Sequence, residues 1–325
     1  MKTRTLGKSG IEASEIGLGC WQLGGDFGPI DQARATATLQ AAQDAGITFF
    51  DTADVYGGGL SEERVGAFTN GKSGISVVTK VGRSDDLFPT DFEYETVKRH
   101  LQESCARLGV KALDLIQLHC IPPAILEKGD IFTTMDRLKD EGLCANWGAS
   151  VETIAEGQLC LKQSGCASLQ IIFNLFRQDA VTDLFPLAEA ANVGIIVRLP
   201  LASGLLTGKF TADTKFDESD HRNYNADGNA FSVGETFSGI KMSKGVELLD
   251  LIKPHVPEGM TLADFALRWI LDHKAVTTVI AGCSTPEQVA QNARVSDLPS
   301  LSADTHKALA EIYKSEIRQH IRSDV

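Results

Sequence analysis

Short apolar runs rich in β-branched and aromatic residues recur along this chain. They are separated by stretches in which apolar positions return every three or four residues. The eight strand candidates are IGLGC, ITFFDTA, ISVVTKV, LDLIQLH, CANWGAS, LQIIFN, VGIIVRL and TTVIAG. Between them the period lengthens: Val97, Leu101, Cys105 and Leu108, for example, fall on one face of a helix. Strands that alternate with helices build parallel β-α-β units. Eight such units in 325 residues predict an α/β fold, a (β/α)8 TIM barrel, which typically takes about 250 residues plus insertions. The surplus falls to an N-terminal β-hairpin (TRTL, a GKSG turn, then IEASEIGLG), the polar segment 211–240 and a C-terminal helical tail. No Pro-rich linker or low-complexity tract divides the chain, so a single domain over residues 1–325 is expected. A doubly wound sheet is the weaker reading, because GLGCWQLGG lacks the third glycine of G-x-G-x-x-G where it is needed.

One motif cuts across this order. Gly66, Gly71, Lys72 and Ser73 satisfy the phosphate-loop signature G-x-x-x-x-G-K-[ST]. Such a loop must follow a strand and open a helix, so that backbone N–H groups face the phosphates. Here SEERVGAF before the glycine is helical, with Ser61 as its expected N-cap, and GISVVTK after it is a strand. The order is reversed. Gly71 and Gly74 are therefore read as a helix-to-strand turn at the bottom of the barrel, and Lys72 as a solvated lysine.

Charge narrows the function classes. The net charge of −12 comes from 31 Lys+Arg against 43 Asp+Glu, with no basic stripe or tail. That balance argues against a dedicated nucleic-acid or anionic-membrane binder, but not against a small anionic ligand held by a few donors. The polar start MKTRTLGKSG and the lack of a membrane-length apolar run predict a cytoplasmic protein. Seven cysteines stand singly, without C-x-x-C or zinc-like spacing, so they read as reduced structural thiols and no metal is expected.

The candidate chemistry sits at strand ends, where barrels of this kind place function. Three successive strands end in an ionisable residue: Asp51, Lys80 and His119. Tyr56 lies five residues past Asp51 on the same top loop. In a barrel these side chains converge on one mouth. An apolar pocket raises a tyrosine's pKa, whereas an adjacent ammonium is expected to lower it towards neutrality. Asp51 would keep Lys80 charged, and His119 could donate to a carbonyl oxygen. The set places an acid beside an oxyanion site, as hydride addition to a carbonyl requires. No Ser-His-Asp order, nucleophile elbow or paired-carboxylate motif competes.

At these residues the chain resembles the aldo-keto reductase superfamily. The matching stretches are GLGCWQLGG, FFDTADVYGGGLSEERVG, VVTKVG, DLIQLH, WGAS, PLASGLLTGKF and IAGCSTPEQVAQN, in family order from residue 17 to 292. It is most similar to the bacterial branch that also holds sugar-type reductases and potassium-channel β-subunit relatives. The resemblance implies Tyr56 as proton donor, Lys80 as its pKa tuner, Asp51 as the lysine's partner and His119 as the residue orienting the carbonyl. It implies NADPH as cofactor, with NADH also possible, and a small-molecule carbonyl substrate. Ser150 and Gln170, with Asn174 beyond, fall where the family binds the nicotinamide carboxamide. Leu201, Ser203, Gly204 and Leu205 match the pyrophosphate loop, with Lys209 as charge partner. Gly282, Ser284, Thr285, Gln288 and Asn292 belong to the adenosine end, and Arg222 is expected to fold over it. Trp21 is grouped with the cofactor residues and with the wall of the substrate pocket. Two positions depart from the pattern: Arg198 stands where relatives often carry an aromatic residue on the nicotinamide face, and Val151 where many carry Asn.

Three functions follow: a reductase of aldehydes or ketones, sugar-derived ones included; the same site run as a sugar or polyol dehydrogenase; or a cofactor-binding, redox-sensing regulatory subunit. The lack of a long tail at Met1 argues against the last. The substrate and the oligomeric state are left open.

Overall fold

The structure is a computed structural model of the chain and describes every residue except 27, 212, 217, 219, 229–232, 234 and 235. An antiparallel hairpin, β1 (Thr3–Thr5) and β2 (Glu12–Ser14), precedes the barrel. The barrel strands are β3 (Ile16–Gly19), β4 (Phe49–Asp51), β5 (Ser76–Val81), β6 (Leu115–His119), β7 (Trp147–Ser150), β8 (Cys166–Ile172), β9 (Gly194–Arg198) and β10 (Val276–Gly282). They are parallel, pair in chain order, and close where β10 meets β3. Each of the eight expected runs supplies one strand.

The strands are apolar on both faces because both faces are covered. Outward side chains such as Phe50, Ile116, Leu169 and Ile195 join a large core beneath the ring of helices. Inward ones, Phe49, Val78, Leu115, Ile196 and Ile280, form a second cluster with Leu6, Ile11 and Ala13 of the hairpin. The hairpin therefore plugs the N-terminal end of the barrel. The helix Tyr94–Leu108 buries Val97, Leu101, Cys105 and Leu108, as the periodicity predicts, and stops at Gly109 in the left-handed region. The helix Ala303–Ile312 begins the expected tail, whereas segment 211–240 is largely irregular around the short helix His221–Tyr224. Among the described residues no helix is long and apolar enough to cross a membrane.

The phosphate-loop match dissolves into packing. Gly66 lies within the helix Leu60–Thr69, where a Cβ would come 2.6 Å from the Arg107 carbonyl oxygen and the Leu108 Cα. A glycine stands there because two helices touch. Gly71 and Gly74 have φ of +74° and +80°, which suits the turn into β5. Lys72 is exposed, donates to Gln43 Oε1 at 2.9 Å, and lies over the Phe68 ring. The expectation for Ser61 needs correction. The helix starts at Leu60 after a left-handed Gly59, and no side chain caps it. The Ser61 hydroxyl instead turns inward and donates to the Cys20 carbonyl at 2.8 Å, tying the helix to the loop after β3.

Candidate active site

Asp51, Lys80 and His119 come from three neighbouring strands and meet Tyr56 at the C-terminal mouth of the barrel. Lys80 is fully buried, and its Nζ donates to Asp51 Oδ1 at 2.5 Å, the Thr52 carbonyl at 2.8 Å and Tyr56 Oη at 3.2 Å. All three ammonium protons thus have an acceptor, without which burying the charge would cost several kcal/mol. Asp51 is satisfied from its other side by the amides of Gln170, at 2.8 Å, and Gln117, at 3.3 Å. Tyr56 opens a turn in which Gly57, Gly58 and Gly59 all have positive φ. At Gly57 a Cβ would lie 2.2 Å from the Gly24 carbonyl oxygen, so the turn can press directly on the Trp21–Gly24 segment. The Trp21 ring stacks on Tyr56 at 5.6 Å, and His119 meets it edge-on at 5.8 Å. The phenol is held from three sides.

Burial raises the Tyr56 pKa, and Lys80 pulls it down only in part, so the phenol ends above its usual value of about 10. The expected descent towards neutrality does not occur, because desolvation outweighs one ammonium whose charge Asp51 already shares. For Lys80, burial acts downward but Asp51 and Tyr56 outweigh it, and the group stays protonated. His119 is pushed well below its ordinary value by burial and by the charges of Lys80, Arg83 and Arg198. Its ring is neutral at pH 7, and Nδ1 is buried with no hydrogen-bond partner among the described residues. A protonated phenol and a neutral imidazole thus face one cavity, with an ammonium behind the phenol to stabilise the anion left by proton release.

That cavity, about 910 Å³, runs from Tyr56 and His119 to the helix Pro286–Ala293. Of the residues assigned to the cofactor, all but Asn174, Leu205 and Thr285 line it. Leu205 turns its side chain into the core against Gly245, because the loop turns at Ser203 and Gly204, both at positive φ. Thr285 also stands outside the wall; its hydroxyl accepts from the Gln288 N–H and caps the helix Pro286–Ala293. Trp21 belongs to the Tyr56 end through its stacking. Gln170 lines the wall but commits its amide to Asp51, while Ser150 Oγ donates to Gln170 Oε1 at 3.5 Å. Asn174 is satisfied inside the protein by the Leu199 carbonyl, Ser238 and the Phe176 N–H, and does not line the cavity.

Several residues of the site were missed by sequence reasoning. Gln117, which supports Asp51 from behind the wall, was legible, two positions before His119 on the same strand face. Arg34 was not: it comes from the helix Gln32–Asp44 and reaches the distal end by donating to the Ser284 carbonyl at 2.8 Å. Arg294, the nearest arginine in sequence, is bound instead to Asp264. Arg222 grips Asp220 through Nε and Nη2 and donates to the Ser203 carbonyl at 3.3 Å. Arg83, Cys120 and Glu152 complete the wall around His119. A long cavity with cationic and backbone donors at one end and a held phenol at the other fits a dinucleotide, whose phosphates would meet Arg34, Lys209 and Arg222.

Residues 15–314 match the model of the aldo/keto reductase family. The chain is similar to L-galactose dehydrogenase of Arabidopsis thaliana, at 29% identity over 323 residues covering 96% of this chain and 93% of that protein. It is also similar to a probable voltage-gated potassium channel subunit beta of Oryza sativa subsp. japonica, at 28% identity over 336 residues, covering 97% and 98%. Among solved structures, the holo form of an aldo-keto reductase from Bacillus halodurans superposes with a TM-score of 0.78 at 26% identity, covering 99% and 100%.

Proposed function

The chain belongs to the aldo/keto reductase family of NAD(P)H-dependent oxidoreductases, and from that membership we propose that it reduces aldehydes or ketones with Tyr56 as proton donor. The observation that carries the reading is the double contact of Lys80, whose Nζ touches both Asp51 and Tyr56 Oη. Bound nicotinamide cofactor supplies the hydride. The chain's own residues do the rest. Tyr56 and His119 direct their donors at the carbonyl oxygen, which draws electron density from the carbonyl carbon. Tyr56 releases its proton to the oxygen as negative charge develops there. Lys80 holds the resulting phenolate by hydrogen bond and charge, and Asp51 keeps Lys80 protonated and aimed. Trp21 covers the phenol and excludes water from one side.

Oxidation of a sugar or polyol would need Tyr56 as a base, and a phenol held above its usual pKa is a poor one at neutral pH. NADPH is the preferred cofactor, with NADH tolerated, because Arg34 and Arg222 add guanidinium donors suited to a phosphate at the distal end. The protein works as one barrel domain on a small molecule in the cytoplasm. The test is titration of purified protein with NADPH and NADH, followed by cofactor oxidation in the presence of a panel of aldehydes, ketones and sugars. Carbonyl-dependent oxidation with tighter NADPH binding is expected. Tight cofactor binding without turnover of any carbonyl would favour the regulatory-subunit reading.

A further inference from the structure

The chain carries a net charge of −12, yet five basic residues stand in the cavity wall: Arg34, Arg83, Arg198, Lys209 and Arg222. Arg34, Lys209 and Arg222 are those assigned above to the cofactor's phosphates. Arg83 and Arg198 remain, and they flank the other end. Arg83 donates to the Cys120 carbonyl at 3.5 Å, and Arg198 Nη2 approaches Cys120 Sγ at 3.6 Å and the Val151 carbonyl at 3.1 Å. Cys120 directly follows His119. Both guanidinium groups therefore touch the residue next to His119 and share the cavity wall with Tyr56 and His119.

Carbonyl reduction itself does not need these charges, since Tyr56 and His119 already supply the donors to the oxygen. Arg198 spends its hydrogen bonds on a carbonyl and a thiol, neither of which neutralises it, and its Nε is buried without a partner among the described residues. Arg83 lies over the Phe88 ring, 4.6 Å from the centroid, which keeps its planar fork at the rim. Half-buried guanidinium groups bind carboxylates as planar, paired donors.

We propose that the substrate is an oxo acid, a carbonyl compound whose carboxylate lies within a few carbons of the carbonyl and is taken by Arg83, with Arg198 as the deeper charge. This rests on the reductase reading above. The chemistry is unaltered: hydride adds to the carbonyl carbon, the oxygen takes the Tyr56 proton, and the carboxylate is unchanged.

The test compares 4-oxobutanoate with butanal, two four-carbon aldehydes that differ in the carboxylate, using wild type, Arg83→Gln and Arg83→Lys with NADPH. Wild type should favour 4-oxobutanoate by ~tenfold or more in kcat/KM, as a charged hydrogen bond implies. Arg83→Gln should collapse that ratio, chiefly through the KM of the acid, and Arg83→Lys should restore part of it. A second readout needs no turnover. Butanoate should quench tryptophan fluorescence of the NADP+-loaded protein at ~tenfold lower concentration than butanamide, and Arg83→Gln should remove the difference. A wild type that prefers butanal, or a selectivity untouched by Arg83→Gln, overturns the proposal. If neither aldehyde turns over but butanoate still binds selectively through Arg83, the anion site stands and the reductase reading falls.

Discussion

Along four strands of the barrel the inward-facing side chains change character within two residues. Phe49 gives way to Asp51 on β4, Val78 to Lys80 on β5, Leu115 to Gln117 on β6 and Ile196 to Arg198 on β9. Two residues are a climb of roughly 7 Å. The lower layer is apolar, closed by Leu6, Ile11 and Ala13, and needs only shape and apolar area. The upper layer holds a buried ion pair whose members are tolerable only together, with two glutamine amides and a phenol filling the remaining valences. The lower layer should therefore tolerate the loss of a part with the chemistry kept, whereas the upper layer should fail as a unit.

The largest effect should come from splitting the ion pair. Lys80→Met leaves the Asp51 carboxylate buried without its cation, which should cost about 3–5 kcal/mol of stability and, with the acid unsupported, ~10²–10⁴-fold in turnover. Asp51→Asn combined with Lys80→Met should recover most of the stability in denaturant unfolding but none of the activity. If the double variant regains activity, the upper layer is not the unit described.

The lower layer should respond in the opposite sense. Leu115→Ala removes a fully buried side chain and should cost ~2–5 kcal/mol. Turnover per folded molecule should stay close to wild type, with unfolding and steady-state kinetics measured on the same preparation.

A smaller effect appears in pH dependence. Because the Tyr56 phenol is held above its usual pKa of about 10, its donor form dominates throughout the neutral range. Reduction should stay flat from neutrality to pH ~9 and fall only as the phenol ionises. Oxidation of the corresponding alcohol should rise through that same upper range. A reduction rate that falls between pH 7 and 8 would show a phenol shifted downward instead. Smallest of all is Lys72→Ala, on the exposed turn below the barrel, which should stay within ~0.5 kcal/mol of wild type and leave kcat unchanged.

The barrel was legible because strand and helix periods alternate eight times, and Asp51, Lys80 and His119 because each stands at or near a strand end, where period 2 fixes its face. Tyr56 was legible through its place five residues past Asp51 on the same top loop. Other features depend on tertiary distance. Arg34 reaches Ser284 across 250 positions, and no local pattern announces that contact. Leu205 faces the core because Ser203 and Gly204 turn the chain, a conformation that composition alone does not specify. The direction of the Tyr56 shift depends on how deeply the ring is buried against how far Asp51 neutralises Lys80, and the order of residues carries no measure of either.

If one buried ammonium makes Tyr56 the proton donor, Tyr56→Phe reports it most directly, because it deletes a single oxygen and keeps the ring that stacks on Trp21. NADPH affinity by fluorescence titration should be unchanged, while kcat for aldehyde reduction should fall ~10²–10⁴-fold at neutral pH. Steady-state reduction at the wild-type rate in the purified variant would contradict the account.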